Sequence, residues 1–313
     1  MAEPILLAEN LRKAYGDVIA VDGITLKVAK AEIFGLLGPN GAGKTTTISM
    51  LTGVLTPTDG TVHVDGIDLR KQTRNAKSRM GLVPQDLALY STLSARQNLM
   101  FFGRVYGLKG ATLRSRVDEV LTMVGLSDRA DAAIATYSGG MKRRINIAAG
   151  LLHKPAVLFL DEPTVGVDPQ SRNAIFEGVE ELNRNGMTIV YTTHYMEEAQ
   201  RLCDRVAIVD QGRVIALDTP SALISSLGGG IIVLGVAEAN AAAVIEGASE
   251  LAAVKAVQPA NGRLKVETVR LQEALLGVLE VTNRLDISIT SLELLEPNLE
   301  SVFLHLTGKT LRE

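Results

Sequence analysis

Gly38-Pro39-Asn40-Gly41-Ala42-Gly43-Lys44-Thr45 decides how the rest of this chain is read. Two glycines with four residues between them, then Lys and a hydroxyl residue, make a loop whose backbone N–H groups can turn inward around phosphate oxygens. The apolar run before it, Ile33-Phe34-Gly35-Leu36-Leu37, predicts a buried strand, and Thr45-Thr46-Thr47-Ile48-Ser49-Met50-Leu51 after it predicts a helix start. The loop then lies at a helix N-terminus, where unpaired N–H donors and the helix dipole favour anions. In such a loop Lys44 reaches the β- and γ-phosphates of a nucleotide, and the Thr45 hydroxyl helps to hold Mg²⁺.

A second stretch fits the same chemistry. Ala156-Val157-Leu158-Phe159-Leu160-Asp161-Glu162 is an apolar strand ending in two acids. Acids at the end of a buried strand are costly unless a cation meets them. Asp161 is placed to hold Mg²⁺, and Glu162 to polarise a water for attack on a γ-phosphate. Tyr137-Ser138-Gly139-Gly140-Met141 opens a predicted helix and offers a weaker second anion site.

The chain has 313 residues, enough for two domains, and a net charge of −3. Nothing marks a nucleic-acid surface, and Lys142-Arg143-Arg144 reads as a solvated helix face. No apolar run reaches the roughly 18 residues of a membrane span, and the N-terminus has no secretory pattern. The single cysteine, Cys203, fits a reducing compartment and inert packing.

Strand candidates end near Leu37, Val83, Leu160, Tyr191 and Val209, with helical patterns between them, which predicts a largely parallel sheet. Strands stop between Gln85 and about Gly150, where Ser94–Tyr106, Leu113–Val124 and Gly139–Leu152 look helical. Asp210-Gln211-Gly212 reads as a hairpin turn. Gly228-Gly229-Gly230 marks a boundary between residues 1–226 and 227–313. Beyond it come a strand at Ile231–Val236, a helix from Glu238 and strands around Val254 and Val266 turned at Asn261-Gly262. A helix at Leu271–Arg284, a strand at Ile287–Leu295 and a last helix at Leu299–Leu306 come next. The β-α-β-β-α-β order is that of a ferredoxin-like unit with one helix added.

In their order along about residues 5–220, these motifs resemble the ATP-binding cassette subunit of an ABC transporter. The resemblance implies an α/β P-loop NTPase cassette: a mainly parallel sheet with flanking helices, an antiparallel edge and a helical insertion at about 86–150. A small α+β C-terminal domain is added. It makes Gly38–Thr45 the Walker A loop, with Gly38, Pro39, Asn40, Gly41, Ala42, Gly43, Lys44, Thr45 and Thr46 around ATP. Tyr15 becomes the aromatic that stacks on adenine, and Ser138-Gly139-Gly140 the signature core. Gln85 becomes the Q-loop glutamine, Asp168 the D-loop aspartate and His194 the switch histidine. Gln85, Glu162 and His194 are thereby implied in catalysis, and Thr45, Gln85 and Asp161 around Mg²⁺. Ile33–Gly38, Asp168-Pro169 and the tail Asn298–Gly308 are similar to ABC-2 type exporter subunits, including those for drugs. Tyr137, Met141, Val165 and Ala31 depart from residues usual in the family, the last from Gly.

The function implied is ATP hydrolysis that powers separately encoded integral membrane permease subunits at the cytoplasmic face of the membrane. One Walker A loop and one signature per chain call for a second copy, joined head to tail with ATP between them. A non-transport ABC ATPase and a nucleotide-dependent regulator are the alternatives. Tandem cassettes, coiled coils and zinc-binding cysteines would mark the first, and Glu162 and His194 argue against the second. Leu89, Tyr90, Leu99, Phe101 and Phe102 are an apolar set expected to meet the permease, with Ser91 and Asn98 accessible beside it.

Overall fold

The computed structural model describes residues 3–227, 229–260, 262–295 and 297–307. It divides into two compact units between Pro220 and Ser221. The first unit opens with β1 (Leu6–Tyr15) and β2 (Val18–Val28), paired antiparallel. After β3 (Ile33–Leu37) and helix α1 (Lys44–Leu51), β4 (Asp59–Val64) and the short β5 (Ile67–Asp68) complete a four-stranded sheet in the order β2-β1-β4-β5. Sequence reasoning gave Leu6–Tyr15 no strand. The reason is local: the register shifts between Ala8 and Leu11, and Asn10 has φ of +50°, so a bulge breaks the alternation of apolar residues.

Helix α2 (Thr73–Lys77) leads into β6 (Met80–Val83), and the helical region is built from α3 (Ala95–Val105), α4 (Gly110–Met123) and α5 (Gly139–Leu151). Helix α3 begins with a capping box: Ser94 Oγ accepts from Gln97 N while the Gln97 side chain accepts from Ser94 N. The chain then runs through β7 (Val157–Asp161), α6 (Pro169–Arg184), β8 (Thr188–Thr193), α7 (Met196–Leu202), β9 (Arg205–Asp210) and β10 (Arg213–Asp218). The six strands lie in the order β10-β9-β3-β8-β7-β6, all parallel except β10. Strands β3, β7 and β8 are buried at every position, as parallel strands covered on both faces must be. Phe34, Leu36, Phe159 and Val190 from this sheet share one core with Leu6, Leu26 and Val64 from the antiparallel sheet.

The register places the site. Leu37 pairs with Thr193 and Asp161 with Thr192, so β3, β7 and β8 end side by side. The segments leaving these three strands must therefore meet: the glycine-rich loop, Glu162 and His194. Ligand sites of open α/β sheets form at such strand ends.

The second unit begins with α8 (Pro220–Ser226), ahead of the glycine run that marked the boundary in the sequence. It continues as β11 (Ile231–Gly235), α9 (Ala241–Ser249), β12 (Val254–Ala260), β13 (Arg263–Thr268), α10 (Leu271–Arg284), β14 (Ser291–Leu295) and α11 (Leu299–Thr307). Its sheet is antiparallel throughout, in the order β12-β13-β11-β14. Ile232, Leu234, Leu264 and Val266 from the strands meet Val244 and Val278 from α9 and α10 in a separate core. The helix expected from Glu238 opens as a 3₁₀ turn and becomes α-helical at Ala241. The strand expected from Ile287 starts only at Ser291, because Ile287 N donates to Thr282 O and closes the end of α10. Ala260 pairs with Arg263 across the expected tight turn, and Gly262 has φ of +74°. Asn261, and Gly308 of the tail segment, lie outside the described residues.

Candidate functional site

The glycine-rich loop closes on its own lysine. Lys44, 5% exposed, donates from Nζ to Gly38 O (2.8 Å) and Pro39 O (3.1 Å), and the same Nζ lies 3.1 Å from Glu162 Oε1. Gly43, just ahead of α1, has φ of +101°, and a Cβ there would lie 2.7 Å from Ala20 O. Only glycine meets both demands.

The two acids are held by one hydroxyl. Thr192 Oγ1 donates to Asp161 Oδ1 (2.7 Å) and accepts from Glu162 N (2.9 Å). Glu162 itself has φ of +46°, a left-handed conformation that costs about 1–3 kcal/mol for a side-chain-bearing residue and persists only where its surroundings fix it. Its carboxylate is bound at both oxygens, Oε1 to Lys44 and Oε2 to His194 Nδ1 at 3.1 Å. The His194 ring lies against Tyr195, centroids 4.1 Å apart.

Asp161 is 4% exposed, and burial pushes its carboxyl above the usual carboxylate range, against hydrogen bonds from the Thr192 and Thr45 hydroxyls that lower it. A buried carboxylate beside a threonine hydroxyl is a hard, all-oxygen donor pair of the kind Mg²⁺ takes together with substrate phosphates. Among the described residues no group of three or more His, Cys, Asp or Glu could hold a metal. The pair therefore fits a cation shared with phosphate and does not form a closed protein cage.

The structure thus joins Lys44, Thr45, Asp161, Glu162 and His194 in one network. Gln85, Ser138, Asp168 and Tyr15 have no hydrogen bond or ion pair to it. Ser138 caps α5, its Oγ accepting from Met141 N at 3.2 Å, and Ser138 and Gly139 are exposed. Gly140 is buried against α6, where a Cβ would fall 2.2 Å from Ser171 Cβ. Asp168 caps α6 through Ser171 N at 2.9 Å, with Pro169 at the first helical position, and that bond lowers the Asp168 carboxyl below its usual range. Tyr15 is 51% exposed at the end of β1, with Lys13 Nζ 5.3 Å from its ring centre.

The departures from the family pattern find local partners. Ala31 has φ of +57°, which explains why glycine is usual there; Thr188 Oγ1 accepts from its N–H and Asn183 Nδ2 donates to its carbonyl. Tyr137 is buried and its hydroxyl donates to Arg129 O. Cys203 is buried, which pushes its thiol far up and leaves it inert.

Three sequence readings change. Arg143 is not on a solvated face: it is 5% exposed and donates from Nη1 to Gln85 O (2.7 Å) and Pro84 O (3.1 Å). Asn98 is fully buried, its amide serving Tyr90 N, Tyr90 O and Ser94 O. Leu99 is fully buried too; of the rest of the expected set Tyr90 and Phe101 are exposed and Leu89 and Phe102 half-buried, and the three rings pack together with centroids 5.1–6.4 Å apart.

Glu198 was not anticipated at all. It is 2% exposed on α7 and accepts from the hydroxyls of Thr164 (2.7 Å), Thr193 (2.8 Å) and Tyr191 (3.0 Å), with Arg172 Nε 3.8 Å away. It ties β8 and the residue before His194 to the segment between Glu162 and Asp168. The only sequence signal is an acid in a short helix otherwise buried through Met196, Ala199 and Leu202.

A family model described as ABC transporter matches residues 21–165. The chain is 49% identical over 312 residues to the linearmycin resistance ATP-binding protein LnrL of Bacillus subtilis (strain 168), covering 99% of this chain and 100% of that one. It is 40% identical over 317 residues to the daunorubicin resistance ATP-binding protein DrrA3 of Streptomyces coeruleorubidus, covering 98% and 97%. Among solved structures it is similar to the dimeric post-hydrolysis state of the ATP-binding cassette MJ0796 bound to ADP and Pi, with a TM-score of 0.62 and 26% identity over 68% of this chain and 98% of that one.

Replacing Glu198 by Ala strands three buried hydroxyl donors. Glu198→Ala should lower unfolding free energy by about 3 kcal/mol in urea titrations, since each buried group left unsatisfied costs about 1–3 kcal/mol before the site relaxes. A loss under about 1 kcal/mol would show that the hydroxyls find other acceptors and that the carboxylate is not their anchor.

Proposed function

The chain belongs to the ABC transporter family, among its ATP-binding subunits, and on that premise we propose how its residues divide the work of ATP hydrolysis. The observation that carries the reading is the shared contact of Glu162 with Lys44 and His194 at the ends of three parallel strands. Lys44 has one Nζ and two claimants. A triphosphate entering the loop draws Lys44 to its β- and γ-oxygens, and Glu162 is released to accept a proton from the attacking water. His194 keeps the freed carboxylate aimed through Oε2. Asp161 and Thr45, with Gln85, would hold Mg²⁺, which would supply positive charge against the phosphates. Tyr15 offers an exposed ring for the adenine to stack on, and Thr46 adds to the phosphate cradle.

Ser138 and Gly139, with the buried Gly140 behind them, present the exposed N-terminus of a 13-residue helix. We assign it to the nucleotide of a second copy, in a twofold head-to-tail dimer with Asp168 beside the seam. That one of the similar cassettes is dimeric supports a second copy as partner. The exposed rings of Tyr90 and Phe101, with Phe102, form the contact for the membrane permease, and the subunit works at the cytoplasmic face of the membrane by this reading. Among the described residues no helix is long and apolar enough to cross a membrane. Relatives named for linearmycin and daunorubicin resistance favour export of drugs or other lipophilic compounds. The second unit, by this reading, is accessory: it regulates or supports the dimer.

Three experiments test this reading. Lys44→Ala should weaken ATP binding by about 100-fold or more, because a desolvated triphosphate loses its charge-assisted partner; binding equal to wild type would displace the loop from this role. With a non-hydrolysable ATP analogue, wild-type protein should elute as a dimer and Ser138→Arg as a monomer. A Ser138→Arg protein that still dimerises refutes the head-to-tail seam. In the transporter complex, a cysteine at the exposed Ser91 should crosslink to the permease. Crosslinks obtained only from residues 231–307 would move the permease contact to the second unit.

A further inference from the structure

Arg143 is a buried charge that the mechanism above does not use. It stands on α5, five residues after Ser138, about 7.5 Å further along the helix. Arg143 is 5% exposed, and burial lowers its affinity for the proton. No carboxylate lies within ion-pair distance of it among the described residues; Asp86 acts on it only from further away. The charge is met by two neutral carbonyls, those of Pro84 and Gln85, through a single Nη1. Burying a cation against carbonyls alone is a costly arrangement.

The surroundings show what the cost secures. Asn146, less than one turn further along α5, accepts from Ala88 N (3.3 Å) and donates to Pro84 O (3.4 Å), so α5 holds both ends of the segment 84–88. The C-terminal part of α5 packs closely on β6: a Cβ on Gly81 would lie 2.3 Å from Gly150 O. The exposed Gln85 side chain therefore projects from a backbone hydrogen-bonded to α5 at both ends.

We propose that Arg143 is a positioning residue for the reaction: by holding the carbonyls of Pro84 and Gln85 it fixes where the Gln85 amide meets the nucleotide and its metal. This rests on the assignment of Gln85 under the proposed function. A lysine is a poor replacement, since an ammonium on a flexible stem lacks the planar group that packing holds in one orientation.

A double-mutant cycle on steady-state ATP hydrolysis by the purified full chain tests it. Gln85→Ala and Arg143→Gln should each lower kcat by about 10-fold, with the KM for ATP changed less than about twofold, because small misplacements of a reacting group cost rate more than binding. The double variant should be no slower than about 10-fold, since two residues acting through one contact do not add. The parallel cycle of Arg143→Gln with Ser138→Ala should be additive. A Gln85/Arg143 double variant near the 100-fold product of the singles overturns the proposal, as does equal non-additivity with Ser138→Ala. If Gln85→Ala alone leaves kcat unchanged, the fault lies with the assignment of Gln85, and the inference falls with it. Should Arg143→Gln fail to fold, Arg143→Lys enters the same cycles with the same criteria.

Discussion

Two adjacent carboxylates at the end of a strand buried on both faces are the constraint that everything else here answers. Asp161 and Glu162 are 4% and 5% exposed, and their charges would repel each other in a setting that cannot hydrate them. Three residues supply the compensation. Lys44 opens α1 after the glycine-rich loop, Thr192 lies near the end of β8, and His194 directly follows that strand. None of these is near the acids in sequence. The parallel register, Asp161 beside Thr192 and Leu37 beside Thr193, makes them neighbours. A fold that failed to pair these strands in this register would leave two carboxylates buried without partners.

The same constraint explains the strained backbone. Glu162 occupies a left-handed conformation because its N–H must reach Thr192 while its side chain turns back to Lys44 and His194. All three partners are distant in sequence, the nearest of them, Thr192, by 30 residues. The strain is therefore stored by the tertiary structure rather than by any local turn signal. Glu198 extends the network beyond the two acids, tying the segment that leads to Asp168 to the strand that leads to His194.

This division between local and distant contacts also decides which residues could be read from the sequence. The loop Gly38–Thr45 was legible because its chemistry is contiguous: glycines, lysine and hydroxyl act within one short segment. Asp161 and Glu162 were legible because an apolar run ending in two acids is improbable without a cation. Hairpin Gln211-Gly212 was legible because both residues take positive φ, +48° and +75°, in a two-residue loop. Thr192, Glu198 and Arg143 were not. A threonine in a strand, an acid in a short helix and one arginine in a basic triplet look the same whether they face solvent or a buried partner. Asn98 and Leu99 were misjudged for the same reason, since helix α3 alone does not tell which face the neighbouring helices cover. The antiparallel sheet was hidden by a bulge at Asn10, which disrupts the period that betrays a strand.

The proposed function makes Glu162 the group that accepts the proton from water and gives nucleotide binding to Lys44 and Asp161. Glu162→Gln keeps the shape and removes the charge, so ATP affinity and turnover measured on the same preparation separate the two functions. ATP binding should stay within about threefold of wild type and hydrolysis should fall by about 100-fold or more, the scale of lost acid–base assistance. Hydrolysis at the wild-type rate would contradict this assignment and take Glu162 out of the reaction.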